Sequence, residues 1–568
     1  MKKYYRSFII LIFLGGSACY AQDADTGKIP FGRIESFQFK ESRIFPGTMR
    51  DVTVYIPDQI DSSKPACVYV QQDGFYPERK FNRILDTLIA KKEIPVIVGI
   101  FISPGYVPSA DKNTFGRPNR CFEYDGVGNN YVRFLLEEIL PYVTKKYRLN
   151  LSNNGSDRCI GGGSSGGIAA FNAAWERPDS FSRVYCFSGS FVAFRGGNEF
   201  PALIRKTEAK PIRVFLTTGT NDMENCAGDW TLIDMEIAKA LKFSGYDYRF
   251  NLLNGGHVVG WVELFADAMR YLWKDWPAPV QAGPGAPRVC DIILPKESWE
   301  TAAEGYNDVC GLACNSKGEV FFTDIINNKI YRIGLDNNLK VFAADAGHCN
   351  GLSFGAGDEL YSISAKTGKI MCYDTSGKRS VYAEGVHGNY ILAIPGGGLY
   401  VTGNDAADKP GKVWLIKKNE KKVVDTGEKF TGLAITPDRQ FLAAADGLSH
   451  WAFSYQIAND GTLSNKERFF WLYTQDWSNS SDAQSICYDR EGHLYIATSS
   501  GIQVCTWDGP TQVILPLPVG SRVNSICFGG ANLDEIFASC GDKVYKRKLK
   551  THGLGAFTPW TKMTPGQL

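Results

Sequence analysis

Ser164 is the residue of this 568-residue chain whose setting points most directly to chemistry. It is the central residue of Gly-Gly-Ser-Ser-Gly at positions 162–166, which has the form G-x-S-x-G. A strand-like segment precedes this pentapeptide, and the helix-like segment GIAAFNAAWERP follows it. Such a strand-to-helix turn is strained and closely packed, so small residues must flank the serine. The sequence therefore predicts a nucleophilic serine whose hydroxyl stands free at a helix N-terminus.

Two other interpretations of this glycine-rich stretch fit less well. Gly161, Gly163 and Gly166 also satisfy G-x-G-x-x-G, the pattern of a dinucleotide-binding turn. That pattern needs an acidic residue about 20 residues further on, where this chain has Cys-Phe-Ser at 186–188. A flexible linker is also a poor fit, because the stretch lies between a strand and a helix.

A serine hydroxyl needs a base, and the base needs a third group that orients it. The only histidine in the first 280 residues is His257, which follows the strand-like segment YDYRFNLL. The preceding strand-like segment ends in GTND, where Asp222 is the favoured acid, with Glu224 and Asp229 as competitors. The order Ser164, Asp222, His257 is that of α/β-hydrolases. These three residues are therefore predicted to form a catalytic triad.

The elements around these residues predict one α/β domain over residues 22–276. Apolar strand-like runs at 66–70, 94–102, 184–189 and 212–219 alternate with helix-like segments. Uninterrupted apolar strands separated by helices indicate a mostly parallel sheet with helices on both faces. Residues 277–289, rich in Pro, Gly and Ala, are predicted to be a linker between domains.

Residues 290–568 repeat a different pattern. Six similar segments begin at 310, 350, 390, 431, 484 and 524, so most successive starts are 40 or 41 residues apart. Each segment contains short strand-like runs separated by turns rich in Gly and Asp. Repeats of this length without helical periodicity are typical of β-propellers. The C-terminal part is predicted to be an all-β, six-bladed propeller.

Residues 30–276 resemble the esterase family that includes enterochelin esterases and bacterial feruloyl esterases. The resemblance lies in segments such as SRIFPGTMRDVTVYIP, NRCFEYDGVGNNYVRFLLEEILPYV, IGGGSSGGIAAFNAAWERPDSF and GTND. It implies an α/β-hydrolase fold that needs no cofactor, with Ser164 as nucleophile, Asp222 as acid and His257 as base.

Backbone amides are expected to stabilise the oxyanion of such an esterase. The Ser165 amide would supply one donor, and the amide of Gln72 or Asp73, in the turn after VYV, would supply the second. Asp73 could equally serve only to cap that turn. The segment NRCFEYD contains Arg120, Glu123 and Tyr124, which could line the acyl or alcohol pocket. Alternatively, it could contain a buried Arg-Glu pair that braces a loop.

Residues 295–550 resemble the family of gluconolactonases, senescence-marker proteins and luciferin-regenerating enzymes, through segments such as TGLAITPD and YDREGHLYIATSSGIQV. The resemblance implies a divalent cation, Ca or Zn, at the propeller centre, held by Glu, Asn and Asp. Cys310, Thr431 and Gln484 stand at three expected ligand positions, and Asn389 alone matches. The nearest acidic substitutes are Glu304, Asp308 and Asp482. One amide with Cys, Thr and Gln is a poor oxygen cage, so a binding or scaffolding propeller is favoured over a lactonase centre.

The net charge of the chain and its N-terminal segment indicate which partners the protein can have and where it is located. The 62 Lys and Arg residues nearly balance the 60 Asp and Glu residues, which argues against a nucleic-acid partner. Residues 1–21 have the charged start, short apolar run and small-residue end of a secretory signal, with lipid attachment at Cys19 as the weaker alternative. No later run is long enough for a transmembrane helix. Most of the 15 cysteines are expected to be buried free thiols.

The sequence thus predicts an exported serine carboxylic-ester hydrolase, periplasmic or secreted, acting on small-molecule or polysaccharide esters. Carbohydrate-linked and aromatic esters are the favoured substrates. The alternatives are a metal-dependent sugar lactonase that works from the propeller, and a propeller that only binds glycan. The oligomeric state is not predicted.

Overall fold

The computed structural model describes residues 29–111, 113–403, 410–418, 420–476, 478–518 and 522–563. The predicted signal at 1–21, with Cys19, lies outside these residues. Within them, no helix is long and apolar enough to cross a bilayer. The fourteen cysteines in these ranges are all free thiols.

The first domain is built on an eight-stranded sheet with the order β1-β2-β4-β3-β5-β6-β7-β8. The first two strands and β4 pair antiparallel, and all later pairs are parallel. The strands are β1 Arg33–Phe39, β2 Arg50–Ile56, β3 Cys67–Gln72, β4 Ile97–Ile102, β5 Arg158–Gly163, β6 Arg183–Phe187, β7 Arg213–Gly219 and β8 Asp247–Leu253.

Helices cover both faces of this sheet because its central strands are buried and apolar on both sides. One face packs on α3, α4 and α6, and the other packs on α1 and α7. The helices are α1 Phe81–Ala90, α2 Arg120–Tyr124, α3 (Asn130–Arg133, a π-helical Phe134–Ile139 and Leu140–Tyr147), α4 Ser165–Glu176, α5 Phe200–Lys206, α6 Trp230–Phe243, α7 Phe265–Leu272 and α8 Pro287–Ile292. Two-residue strands pair Tyr106–Val107 with Arg117–Pro118 and Glu224–Asn225 with Gly228–Asp229.

The second domain consists of six four-stranded antiparallel blades, which confirms the predicted propeller. Blades one to three contain Val309–Cys314, Val320–Asp324, Lys329–Ile333, Leu339–Ala343; Gly351–Phe354, Leu360–Ile363, Lys369–Tyr373, Arg379–Glu384; and Tyr390–Ala393, Leu399–Gly403, Lys412–Lys417, Glu420–Thr426. Blades four and five contain Phe430–Ile435, Phe441–Asp446, Trp451–Ile457, Leu463–Trp471; and Ile486–Tyr488, Leu494–Thr498, Gly501–Cys505, Thr511–Leu515. Blade six contains Val523–Gly529, Glu535–Cys540, Lys543–Lys548 and the first propeller strand, Glu300–Glu304.

Blade six therefore combines both ends of the propeller sequence, because Glu300–Glu304 pairs with Lys543–Lys548. This closure leaves no open gap between the last blade and the first. The innermost strands follow the predicted repeat starts.

The predicted linker lies against the first domain instead of hanging free. The Val280 amide donates to Ser156 Oγ at 3.1 Å, and the Gly285 amide donates to the Ser244 carbonyl at 3.2 Å. Helix α8 then crosses the predicted boundary at 289/290, and its apolar residues Val289 and Ile292 pack into the core of the fifth and sixth blades. The connection between the domains is thus packed against both.

Candidate active site

Ser164 lies in the turn between β5 and α4, with φ of 57° and ψ of −127°. This backbone conformation is uncommon for a residue with a side chain and costs on the order of 1–3 kcal/mol. Glycines permit it by removing side chains where the chain packs on itself. A Cβ on Gly162 would lie 2.3 Å from the Gly166 carbonyl oxygen, and a Cβ on Gly163 would lie 1.9 Å from the ring of Phe187. The turn therefore depends on the glycines of the pentapeptide.

Asp222 and His257 lie at the same edge of the sheet as Ser164. They follow β7 and β8, which are adjacent and parallel, so the loops after both strands emerge side by side. Nδ1 of His257 lies 2.5 Å from Oδ1 of Asp222. The competing acids lie elsewhere: Glu224 is exposed, and Asp229 caps α6 by accepting a hydrogen bond from the Leu232 amide.

The Asp222 carboxylate is held by several donors. Burial alone would raise its pKa, but hydrogen bonds from His257, Ser188 and the Met223 amide outweigh burial and lower the pKa to about 2. Ser188 Oγ donates to Oδ2 at 2.6 Å, and the Met223 amide donates to Oδ1 at 2.7 Å. Asp222 is therefore ionised near neutral pH and can hold a hydrogen on Nδ1 of His257, which leaves Nε2 as the acceptor nitrogen.

The Ser164 hydroxyl contacts a second serine. Its Oγ lies 3.3 Å from Ser190 Oγ, which also accepts a hydrogen bond from Nε1 of Trp230 at 3.2 Å. The Trp230 ring stands edge-on to the His257 ring at 6.2 Å. Across the described residues, no hydrogen bond joins Ser164 to His257. The structure brings the acid and base together and leaves the serine hydroxyl turned toward Ser190.

The predicted oxyanion donors lie next to this turn. Ser165 is the first residue of α4, where backbone amides have no acceptor within the helix. Asp73 has a φ of 66°, and its amide lies 3.4 Å from the Tyr124 hydroxyl oxygen. A Cβ on Gly166 would lie 2.7 Å from Asp73 Oδ2 and 3.0 Å from Gln72 Cβ, so the turn after β3 packs directly on the start of α4.

Arg120 secures the turn that contains Asp73. Its guanidinium binds the Asp73 carboxylate through two contacts, of 2.6 and 3.0 Å, and Nη2 lies 3.4 Å from the Gly163 carbonyl oxygen. Burial lowers the pKa of Arg120, but the hydrogen bond and charge of Asp73 raise it above its ordinary value. Arg120 is partly exposed beside the Ser164 turn, and Asp73 neutralises its charge there.

For Glu123 and Tyr124, the structure favours the second of the two alternatives, a buried Arg-Glu pair, over a position in the pocket lining. Glu123 pairs with Arg50 at 2.7 Å, and both side chains are fully buried. The buried Arg-Glu pair of the sequence analysis is thus present, but its arginine is Arg50 and not Arg120. Tyr124 is also fully buried, with its hydroxyl near the Ile102 carbonyl. Both side chains therefore point into the core, where they hold helix α2 in place.

Ser188, Ser190 and Trp230 were not anticipated from the sequence. The signal available for the two serines is the small-residue segment Ser-Gly-Ser directly after a buried strand, at the sheet edge that holds Ser164. Trp230 follows the predicted acid by eight residues and carries no pattern that indicates its contact with Ser190.

The centre of the propeller does not fit the cation that the family resemblance implies. Arg522 binds Asp482 through contacts of 2.6 and 2.7 Å, and Gln484 links Asp482 to the Tyr390 hydroxyl. Glu304 pairs with Lys543 at 3.0 Å. Asn389 is exposed, and Asp308 lies against the thiol of Cys310, whose pKa burial and Asp308 raise to about 12.

Across the described ranges, no cluster of three His, Cys, Asp or Glu side chains could hold a metal. Arg522 neutralises Asp482, one of the three acidic residues considered as substitute ligands, so these residues do not form an oxygen cage for a hard cation. Glu304, Asn389 and Asp482 are not brought together as ligands.

Comparisons with known proteins divide the chain in the same way. Residues 43–272 match the family model described as "Putative esterase", and residues 310–540 match "SMP-30/Gluconolactonase/LRE-like region". Regucalcin from Homo sapiens is 30% identical over 125 residues, which are 21% of this chain and 40% of regucalcin. Regucalcin from Macaca fascicularis gives the same values. The match thus spans 40% of the length of these curated relatives.

Solved structures similar to each half have low identity. A ferulic acid esterase is 19% identical, covering 43% of this chain and 99% of its own, with a TM-score of 0.34. A gluconolactonase from Xanthomonas campestris is 17% identical, covering 45% of this chain and 91% of its own, with a TM-score of 0.41. On the two family-model matches, this chain joins an esterase-family domain to a gluconolactonase-like propeller domain.

Proposed function

We propose that the protein is a serine carboxylic-ester hydrolase that acts on aromatic or carbohydrate-linked esters, with Ser164, His257 and Asp222 as its catalytic triad. The observation that carries this proposal is the 2.5 Å contact between His257 Nδ1 and Asp222 Oδ1 at the sheet edge that also holds the strained Ser164 turn. The match of residues 43–272 to the esterase family supports it.

In the proposed mechanism, Ser164 Oγ attacks the ester carbonyl carbon while His257 Nε2 takes the hydroxyl proton. The tetrahedral intermediate collapses, the bond to the alcohol breaks, and the imidazolium gives its proton to the departing alkoxide. Water then attacks the acyl-enzyme, His257 takes a proton from it, and the carboxylic acid leaves as Ser164 recovers its hydrogen. Asp222 stays ionised throughout and stabilises the imidazolium.

The Ser164 hydroxyl must first turn from Ser190 toward His257. Catalytic hydrogen bonds are often long or absent without substrate, so this resting geometry is compatible with the proposal. Ser190 Oγ already accepts from Trp230, which leaves its own hydrogen free to point at Ser164 Oγ. A side-chain rotation at Ser164 would exchange that contact for one with Nε2 of His257.

Two fixed amides would bind the developing oxyanion. Ser165 would supply one. The Asp73 amide, directly after β3, would supply the other by exchanging its long 3.4 Å contact with the Tyr124 hydroxyl for the oxyanion. The Arg120–Asp73 ion pair supports this role, since it holds the turn against the start of α4 before substrate binds. Donors that need no reorganisation contribute about 10²–10³ in kcat for a single amide.

Exposed aromatic rings support an aromatic acyl group or a sugar as the bound part of the ester. Three exposed rings lie on the segments at the sheet edge that holds the triad: Tyr76 and Phe194 on loops and Phe122 on α2. Such rings offer flat apolar surfaces at small entropic cost. Arg120 and Arg195 are each paired with a carboxylate, so neither presents an unpaired charge to the ester.

For the propeller, glycan binding is the second candidate function. The Tyr390, Gln484, Asp482 and Arg522 side chains form one hydrogen-bonded chain at its centre, and planar polar groups of this kind suit sugar hydroxyls. A metal-dependent lactonase is disfavoured because Arg522 occupies the carboxylate of Asp482. Export of the protein remains part of the proposal and depends on residues 1–21 alone.

Replacing the nucleophile tests the esterase proposal. Ser164→Ala should lower kcat on 4-nitrophenyl acetate by about 10⁴-fold or more and leave the melting temperature within a few degrees. Ser376→Ala, on an exposed propeller turn, is the matched control and should change nothing. Hydrolysis by Ser164→Ala at the unsubstituted rate would reject the proposal.

A further inference from the structure

Two contacts between the domains are relevant here, and the first lies at the opposite edge of the sheet from the ester site. Glu208 binds Arg547 of the sixth blade through two contacts, of 2.6 and 2.7 Å, and the Arg547 side chain is almost fully buried. Next to it, the Glu208 amide donates to the Ile514 carbonyl at 3.2 Å. This contact fastens the end of α5 to the fifth and sixth blades.

A second contact reaches the rim of the ester site. Asp476 lies on the connection from the fourth blade to the fifth, and its amide donates to the Val127 carbonyl at 3.1 Å. Its carboxylate binds the guanidinium of Arg195 and lies beside Gly126, where a Cβ would come within 3.3 Å of Oδ2. The propeller thus contributes a charged side chain to a loop cluster of the first domain.

Arg195 ends a segment that begins at the proposed triad. Ser188 binds Asp222, and Ser190 contacts Ser164, both through side-chain oxygens. Phe194 then packs edge-on against Trp230 at 5.6 Å. The segment 188–195 therefore spans the distance from the reacting groups to the propeller.

The guanidinium of Arg195 also contacts Phe122, on α2. Arg195 Nη1 donates to the Phe122 carbonyl at 2.7 Å, and the guanidinium lies over the Phe122 ring at 5.0 Å. Phe122 and Phe194 are both exposed. Arg195 thus joins two of the three exposed rings of this rim, Phe122 and Phe194, and Asp476 supplies the counter-charge that holds Arg195 in place.

We propose that Asp476 is a positioning residue of the ester site: acting through Arg195, it holds the Phe122 and Phe194 rings in the arrangement that accepts a large planar acyl group. The inference rests on the proposed esterase function and assigns the propeller a part in substrate selectivity. We expect small acyl groups to react without contacting these rings, so their turnover should not depend on the contact between Asp476 and Arg195. Displacement of the Phe122 and Phe194 rings should weaken binding of the large acyl group.

Two esters with the same leaving group test this inference in the full-length protein: 4-nitrophenyl acetate and a 4-nitrophenyl hydroxycinnamate. Asp476→Ala should lower kcat/KM for the hydroxycinnamate by about tenfold, chiefly through KM, and change that for the acetate by less than about twofold. Asp476→Glu should recover most of the loss. Glu208→Gln, which breaks the distant interdomain ion pair, is the matched control and should leave the ratio between the two esters unchanged.

An equal effect of Asp476→Ala on both esters, or an equal change of the ratio in Glu208→Gln, would overturn the inference. If Asp476→Ala melts at a lower temperature, the double variant Asp476→Ala with Arg195→Ala decides, because two residues that act through one contact must together change the ratio no more than Arg195→Ala does alone. Hydrolysis of both esters that survives Ser164→Ala would instead overturn the proposed function, so the two failures are distinguishable.

Discussion

Ser188 donates a 2.6 Å hydrogen bond to Oδ2 of Asp222, the carboxylate whose other oxygen faces His257. Ser188 is fully buried, has a φ of 44° and also accepts a hydrogen bond from the Val258 amide, next to His257. A single hydroxyl thus ties the acid of the proposed triad to the loop that carries the base. This tie fixes the geometry in which Asp222 can orient the imidazole.

Ser188→Ala should therefore impair both turnover and folding stability. Removing the hydroxyl takes one donor from Asp222 and leaves the Val258 amide without an acceptor, which costs about 1–3 kcal/mol. We expect kcat on 4-nitrophenyl acetate to fall by about tenfold, with KM little changed. Steady-state kinetics measures this. Ser188→Thr keeps the hydroxyl but should also have a lower kcat than the unsubstituted protein, because a β-branched residue is strained at a φ of 44°. A KM effect without a kcat effect would contradict this role.

Gly162→Ala should destabilise the first domain. Its new methyl would lie 2.3 Å from the backbone oxygen of Gly166, so the backbone must move, at a cost of about 1–3 kcal/mol. Gly256→Ala is the control, since its Cβ meets only Asn221 O at 3.5 Å. Chemical denaturation should show a loss for the first variant and little change for the second. Equal stability of the two would contradict the packing described for the turn.

The stability of the propeller should depend on the charge of His493. Burial lowers the pKa of His493, but the hydrogen bond and charge of Asp489, at 2.8 Å, outweigh burial and raise it. A histidine whose pKa is higher in the folded state stabilises the fold fully below its unfolded pKa of about 6.5, and this contribution is lost as pH rises through the folded pKa. The urea midpoint should fall between pH 6 and pH 8 in the unsubstituted protein and fall less in His493→Gln. The same slope in both proteins would contradict the assignment.

Divalent cations should leave the propeller unchanged. Because Arg522 already neutralises Asp482, calcium or zinc at millimolar concentration should not raise the melting temperature, and a chelator should not lower it. A specific site would give about 2.7 kcal/mol of stabilisation at one hundred times its dissociation constant. A saturable upward shift that disappears in Asp482→Ala would show that the centre binds metal after all.

Local patterns in the sequence predicted the elements and the edge of the sheet where the site lies. The Ser164 turn was predictable because strain and close packing restrict its neighbours to glycine and serine. Asp222 and His257 were predictable as partners because loops after adjacent parallel strands meet. The blades were predictable because each repeat has the same short strands and turns.

Side-chain pairing between distant segments was not predictable in the same way. Glu123 lies 73 residues from its partner Arg50, and no local pattern indicates that the two meet in the core. Asp476 and Arg195, 281 residues apart, meet only because the domains dock. Likewise, a repeat places Asp482 and Arg522 at equivalent positions, but the direction of each side chain depends on the neighbouring blades.

The most direct test of the central claim is the site of reaction with a fluorophosphonate, which labels only activated serines. Peptide mass spectrometry of the labelled full-length protein should find the phosphonate on Ser164, and His257→Ala should abolish the label while Ser376→Ala retains it. Absence of label on Ser164, or a label that persists in His257→Ala, would contradict the proposal that this serine is activated by His257.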